Sequence, residues 1–287
     1  MLETSCAGLG QSPRPAPSTS LTYLTSLLTR EYINMPLTKT SNLPEFTRPP
    51  PDSVTFAFPP HSPSDDKIAP TLITFRPGST ISTSLHWHTT HTEYIKVLSG
   101  AALVMVAGKV KIYTAEDGAA VVPRYARHEC MRFDRPAHLL SKKQRECQEK
   151  WMEEQGEDIV QKLKNTEVVA EEWTEPKDGE KEVFFRNLFS TTREPQWKGS
   201  WLGEVYMVLQ IMCVMWKLDN YIVLVDLGGK GDGSGWRGFV EAVISYSVMG
   251  LANAVGRLMG LRAVNEEYTP GWLMRSWQEG KADGKIE

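Results

Sequence analysis

The run His86-Trp87-His88-Thr89-Thr90-His91-Thr92-Glu93-Tyr94-Ile95-Lys96-Val97-Leu98 puts three imidazoles and a carboxylate into one short segment. Residues two apart on a strand share a face, so His86 and His88 can point together into an interior. Glu93 shares its parity with Ile95 and Val97, whereas Tyr94, Lys96 and Leu98 take the other face. A carboxylate that enters an apolar interior alone costs several kcal/mol, on the order of 3 or more, and a divalent cation shared with imidazoles offsets that cost. His128 arrives 35 residues after Glu93. Imidazole with carboxylate suits Fe, Mn, Co, Ni, Cu or Zn. His91 sits at odd spacing within a polar connection, which suggests an exposed loop histidine, the alternative being a proton carrier at the mouth of a pocket.

Outward from this run the chain reads as short strands. Leu72–Phe75, Tyr94–Leu98, Ala102–Val106, Lys109–Tyr113 and Ala119–Val122 are each bounded by Gly, Pro or polar turns, which predicts a sandwich or barrel. Ala107-Gly108 fits a two-residue hairpin and Glu116-Asp117-Gly118 another turn. Val54, Phe56 and Phe58 alternate with Thr55 and Ala57 and suggest an edge strand; Val168–Trp173 suggests one more strand. A highly charged stretch near 142–165 reads as an exposed helix or insertion, and Lys181–Phe189 as an amphipathic helix with its phenylalanines on one side. Apolar Trp201–Trp216 and Phe239–Leu261, on either side of a glycine-rich segment, predict a helical hairpin. Three regions result: a proline- and serine-rich arm (1–53), a barrel (54–190) and a helical hairpin (191–287).

His86-Trp87-His88, Glu93 and Gly100 resemble the first motif of the cupin superfamily, and Gly118, Pro123 and His128 its second. The resemblance implies a mainly β fold, a double-stranded β-helix or jelly-roll barrel, here with a C-terminal α-helical extension. It also implies one divalent metal held by His86, His88, Glu93 and His128, with iron ahead of zinc or manganese. Where the family has glycine two residues after the proline, this chain has Tyr125, which would alter the turn before His128 and bring a phenol to the pocket. Tyr125, Arg124 and His91 are therefore the candidate catalytic side chains. The run from Leu85 to Arg132, with Glu172–Pro176, Phe184–Asn187 and Leu218–Tyr221, resembles single-domain fungal cupins encoded beside secondary-metabolite genes.

The 287-residue chain carries 32 Lys and Arg against 35 Asp and Glu, a net charge of -3, which argues against a nucleic-acid partner. Cys6, Cys130, Cys147 and Cys213 form no CxxC pair, and the first thirty residues lack a secretory pattern, so a reducing cytoplasmic setting is expected. The uncharged runs Val205–Trp216 and Ala242–Gly256 are shorter than the roughly 20 residues of a bilayer span, so a transmembrane anchor is not expected and membrane-surface association is disfavoured. The Ala252, Gly256, Gly260 row points to close helix packing, within the chain or in a homodimer. Aromatic and methionine residues from Trp201 to Trp216 would pack in a core or roof an apolar pocket. The expected function is a cupin biosynthetic enzyme for a small apolar natural product, a polyketide or terpenoid, by isomerisation, cyclisation or dioxygenation. A metal-independent lyase or cyclase, which dehydrates its substrate and shapes a pericyclic ring closure, and a non-catalytic ligand-binding cupin are the alternatives.

Overall fold

The computed structural model describes residues 36–60, 68–227 and 233–283, all within one compact unit beginning at Pro36. The first part of the proline-rich arm, His61 and most of the glycine-rich segment lie outside the described residues.

Among the described residues, eleven strands form two antiparallel sheets. They are β1 (Glu45–Arg48), β2 (Val54–Ala57), β3 (Thr71–Phe75), β4 (His86–Trp87), β5 (Thr92–Ser99), β6 (Ala101–Val106), β7 (Lys109–Thr114), β8 (Ala120–Val122), β9 (His128–Arg132), β10 (Val168–Glu175) and β11 (Tyr221–Ile222). One sheet runs β1-β2-β3-β10-β5-β8 and the other β11-β4-β9-β6-β7. The chain passes repeatedly from one sheet to the other, which is the jelly-roll arrangement. Alternation sets the inner face: Thr71, Ile73 and Phe75 on β3, Glu93, Ile95 and Val97 on β5, and Val168, Ala170 and Glu172 on β10 are all buried. The β6–β7 hairpin turns through Ala107 (φ 48°) and Gly108 (φ 74°), the two left-handed residues that a tight hairpin needs. Gly100 is required twice over: its φ is 73°, and a Cβ would lie 2.7 Å from the carbonyl oxygen of Glu167.

Three details depart from the expected layout. The expected edge strand β2 is flanked on both sides, because β1, inside the range read as an arm, pairs with it from Glu45↔Ala57 to Arg48↔Val54. β11, in the range read as purely helical, pairs with β4 and extends the second sheet. The helix expected at Lys181–Phe189 is α3 (Glu180–Thr191), and it is buried on its polar side as well as its apolar one. Phe184, Phe185 and Phe189 pack towards the barrel, with Phe56 4.8 Å from Phe185 and 4.4 Å from Phe189 between ring centroids. On its polar side Arg186 pairs with Glu182, and Asn187 donates to Val183 and Thr269.

The charged insertion is two helices, α1 (Lys142–Gln155) and α2 (Glu157–Lys164), the first opened by a reciprocal Ser141–Gln144 capping box. The expected hairpin is α4 (Trp201–Lys217) and α5 (Gly235–Leu258), followed by a third helix, α6 (Gly271–Asp283). Gly256 lets α4 and α5 approach: a Cβ there would stand 2.4 Å from Cys213 Sγ. Gly256→Ala is expected to destabilise the protein by about 1–3 kcal/mol through overpacking, with Cys213→Ala in the same chain restoring most of it. Urea midpoints of the single and double variants check this. Arg127, just before His128, is buried: it pairs with Glu241 and donates to the carbonyl of Gly238 at 3.0 Å, tying the first turns of α5 to the barrel.

Candidate metal centre

His86 and His128 sit opposite each other on paired strands β4 and β9. His88 follows β4 directly, and Glu93 faces inward from β5 in the other sheet. All four are buried, and their ligating atoms lie within 4.8 Å of one another. Ring centroids are 4.0 Å apart for His86–His128, 5.0 Å for His88–His128 and 5.1 Å for His86–His88.

Each imidazole is oriented from behind. Nδ1 of His86 meets the carbonyl of Ser84 at 2.8 Å, that of His88 the carbonyl of Asp219 at 2.5 Å, and that of His128 the carbonyl of Ala126 at 3.0 Å. A carbonyl oxygen only accepts, so each Nδ1 carries a proton, and a neutral ring so held presents a lone pair at Nε2. Burial, then the neighbouring rings, holds His86 well below the usual histidine range, and burial followed by Lys181 lowers His88. Burial would raise Glu93, but Lys181 and His128 outweigh it and hold its carboxyl well below the usual carboxylate range. His88 Nε2 nevertheless lies 3.0 Å from Glu93 Oε2, and His128 Nε2 lies 3.2 Å from Oε1 with no hydrogen-bond partner. Bare lone pairs facing an ionised carboxylate, in a buried site, fit a bound cation. Backbone-anchored imidazoles are also the usual support of metal ligands. The residues present thus suit a divalent metal.

Two further groups, missed in the sequence, complete the centre. Lys181 from α3 binds Glu93 Oε2 and lies 2.7 Å from Glu172 Oε1 on β10. Burial lowers Lys181, but Glu172 and Glu93 raise it above the usual lysine range. Burial and the charge of Glu93 push Glu172 up to about 7, against the pull of Lys181. Glu172 carried the same signal as Glu93, an acid in phase with Val168 and Ala170.

A cavity of about 480 Å³ opens onto this cluster. His86, Glu172 and Lys181 are among its polar lining, with Arg48, Ser84 and Asn220; Phe75, Phe184, Phe185 and Met215 are among its apolar lining. Met212 and Met215 come from α4, so this part of the helical hairpin does line the pocket, while Trp201 at its start is exposed.

The three side chains read as catalytic lie elsewhere. Tyr125 has φ 65°, so it adopts the left-handed backbone of the glycine it replaces; its N–H donates to the His88 carbonyl at 2.6 Å and the turn is kept. Its phenol is exposed, and Arg124, also exposed, reaches back to the Thr89 carbonyl at 2.8 Å. Neither lines the cavity that holds His86. His91 is buried, not exposed. Nε2 lies 3.3 Å from Asp178, and Nδ1 lies 3.2 Å from Asp219 and 3.7 Å from Glu180. Burial lowers it, but the bonds to Asp178 and Asp219 prevail and raise His91 to about 9. Asp219 also accepts from the N–H and hydroxyl groups of Thr89 and Thr90, at 2.6–2.8 Å, so it holds the loop between the ligands while its carbonyl orients His88. Cys130 faces inward as its parity predicts, and burial pushes its thiol up, which leaves it unreactive.

No family model and no curated protein matches the chain. Solved structures similar to it include KdgF from Halomonas sp. (16% identity, 45% of this chain and 85% of that one, TM-score 0.27). Others are a cupin-superfamily sugar phosphate isomerase from Silicibacter pomeroyi (13%, 42% and 57%, 0.27) and a cupin 2 conserved barrel domain protein from Rhodopseudomonas palustris (14%, 33% and 59%, 0.24). The chain's own strand order and inward His/Glu cluster define the class: a jelly-roll barrel with a buried cluster of potential metal ligands and a C-terminal helical extension.

Proposed function

We propose that this is a biosynthetic enzyme for a small, largely apolar natural product of the polyketide or terpenoid kind, with one divalent metal, iron ahead of zinc or manganese, held by His86, His88, Glu93 and His128. The observation that carries the reading is the cavity: phenylalanine, methionine and aliphatic side chains line most of a space of about 480 Å³ that also reaches His86, Lys181 and Glu172. A bound metal supplies Lewis-acid polarisation of a carbonyl or enolate oxygen and, if iron, redox chemistry with dioxygen. The apolar wall binds a hydrocarbon skeleton and excludes water from the polar end. Lys181 offers a fixed positive charge to a developing oxyanion. Glu172, raised to about 7, is suited to take and return a proton near neutral pH.

That Lys181–Glu172 pair also favours a second reading, a lyase or cyclase in which proton transfer and positioning suffice and the metal is dispensable. Here Glu172, on the cavity wall, takes the part that Tyr125 was expected to play.

Elemental analysis of wild type and of His86→Ala/His128→Ala, with both assayed on a pool of polyketide and terpenoid extracts, tests the proposal. The expected result is about one metal per chain in wild type, with metal and product formation lost together in the variant. Consumption that survives chelator and anaerobic conditions but is lost in Glu172→Gln transfers the activity to the metal-free reading. Retention of a ligand without any product, by metal-loaded protein, overturns both in favour of a binding protein.

A further inference from the structure

His88 and Glu93 must stand at a fixed distance to share an ion, yet the loop between them belongs to neither sheet: β4 ends at Trp87 and β5 begins at Thr92. Strand register brings another part of the chain to this loop. β11 pairs with β4 antiparallel, Tyr221 opposite Trp87 and Ile222 opposite His86. Followed back towards α4, the same register sets Asp219 opposite Thr89. Asp219 is buried and has φ 52°, a left-handed conformation that aspartate tolerates.

From there it grips the loop with both its backbone and its side chain. Its carbonyl accepts from His88 Nδ1 at 2.5 Å. Its carboxylate accepts from the N–H groups of Thr89 and Thr90 at 2.8 Å and of His91 at 3.2 Å, and from both threonine hydroxyls at 2.6 Å. Successive N–H groups converging in this way form an anion nest, filled here by a carboxylate of the chain itself. The carbonyls of the same loop are held from the turn before β9: Tyr125 N–H donates to that of His88 at 2.6 Å and Arg124 Nε to that of Thr89 at 2.8 Å. Asp219 is in turn fixed by the end of α4, because the N–H groups of its neighbours Leu218 and Asn220 donate to the carbonyls of Val214 and Met215 at 3.0 and 2.9 Å. Met215 and Asn220 line the cavity, so Asp219 lies between the cavity wall and the ligand loop.

We propose that Asp219 is the positioning residue of the metal centre: acting through His88 and the loop to Glu93, it holds two of the four ligands in place and makes the end of α4 part of the centre. This rests on the metal reading given above. Without the carboxylate the loop donors lose their shared acceptor, and an incoming ion must order the loop as it binds, which lowers its affinity. The His91 cluster is the competing route, since Asp219 also lies 3.2 Å from His91 Nδ1. Asp178 separates the two, because it faces the other ring nitrogen at 3.3 Å and touches none of the loop N–H groups.

Titration of the metal-stripped full chain with Co2+, and with Zn2+ against a competing chelator, reads affinity; the visible absorption of bound cobalt reads ligand geometry, and urea midpoints of the metal-free proteins read stability separately. Asp219→Gly keeps the left-handed backbone and removes the carboxylate; it should bind both ions about ten-fold or more weakly than wild type, with an altered cobalt spectrum. Asp219→Asn, which retains one acceptor oxygen, should recover part of the affinity and of the spectrum, and it decides the matter if the glycine variant does not fold. Asp178→Asn should bind within about two-fold of wild type even where its urea midpoint falls as far as that of Asp219→Gly. Wild-type affinity and spectrum in both Asp219 variants overturn the proposal and leave the metal centre standing. So does an Asp178→Asn that weakens binding as much as Asp219→Gly. Wild type that takes up neither ion overturns the metal reading, and the proposal with it.

Discussion

His91→Ala is expected to cost about 3–5 kcal/mol of folding stability at pH 6, more than an ordinary surface-loop substitution would. The side chain is buried among Asp178, Glu180 and Asp219, all buried themselves. Its truncation leaves those carboxylates with Lys281 and Trp277 on Glu180, and with the Thr89 and Thr90 donors on Asp219, but with no imidazolium at their centre. Removing one partner of a buried charge cluster costs far more than the cluster contributes as a whole, since the remaining charges stay desolvated. The pH dependence follows from the sign of the shift. Folded His91 titrates near 9 and unfolded histidine near 6.5. Its contribution is therefore complete below pH 6.5 and falls as pH rises towards 9, by about 3 kcal/mol in total. Urea midpoints measured from pH 6 to 9.5 should decline more steeply in wild type than in His91→Ala, which keeps the slope that Glu172 contributes up to about pH 7 and loses the one that His91 contributes beyond it. A flat wild-type profile would show that the ring is not the cation of this cluster.

Why this cluster escaped the sequence reading is instructive. Asp178, Glu180 and Asp219 come from a turn, a helix start and a residue at φ 52° after α4, and no local period links them to His91. The convergence of His86, His88 and Glu93 was legible because strand parity is local: the same two-residue rule that pairs His86 with His88 turns Glu93 inward beside Ile95 and Val97, whereas His128 was joined to them through the resemblance. The same parity turns Glu172 inward on β10, in phase with Val168 and Ala170. Lys181 was hidden by the opposite assumption, that the polar side of a short helix faces water; α3 is enclosed by the barrel, α4 and α6, so its polar side is an interior face. Tyr125 misled because its identity was weighed without its backbone. A residue that takes a left-handed turn directs its side chain by the turn, here out to solvent. A sandwich or barrel was visible from strand spacing and the jelly roll from the motif resemblance, whereas β1 and β11 were lost in segments whose proline or aromatic content suggested something else.

Lys181→Met carries the second large effect. The ammonium is buried and shared between Glu93 and Glu172, so the methionine variant leaves two carboxylates facing each other across an apolar wall. In metal-free protein the expected cost is about 3–5 kcal/mol, partly relieved as Glu172, already raised to about 7, takes up a proton. The relief gives the prediction its sign in pH: a carboxyl raised further in the folded state adds stability that is complete at low pH and lost as pH climbs, so the variant should suffer most above pH 7. Lys181→Met/Glu172→Gln removes the pair together and should recover most of the loss, as buried ion pairs replaced as a unit commonly do. A divalent cation at the His86, His88, Glu93, His128 cluster would supply the charge that the lysine supplied. Adding zinc should therefore raise the unfolding temperature of Lys181→Met by more than that of wild type, because ligand stabilisation grows with affinity and the competing ammonium is gone. Equal zinc shifts in the two proteins would mean that Lys181 and the metal do not share Glu93. No shift in either, with His86→Ala/His128→Ala behaving the same, would mean that the cluster holds no metal and that Lys181 is the cation its carboxylates are built around.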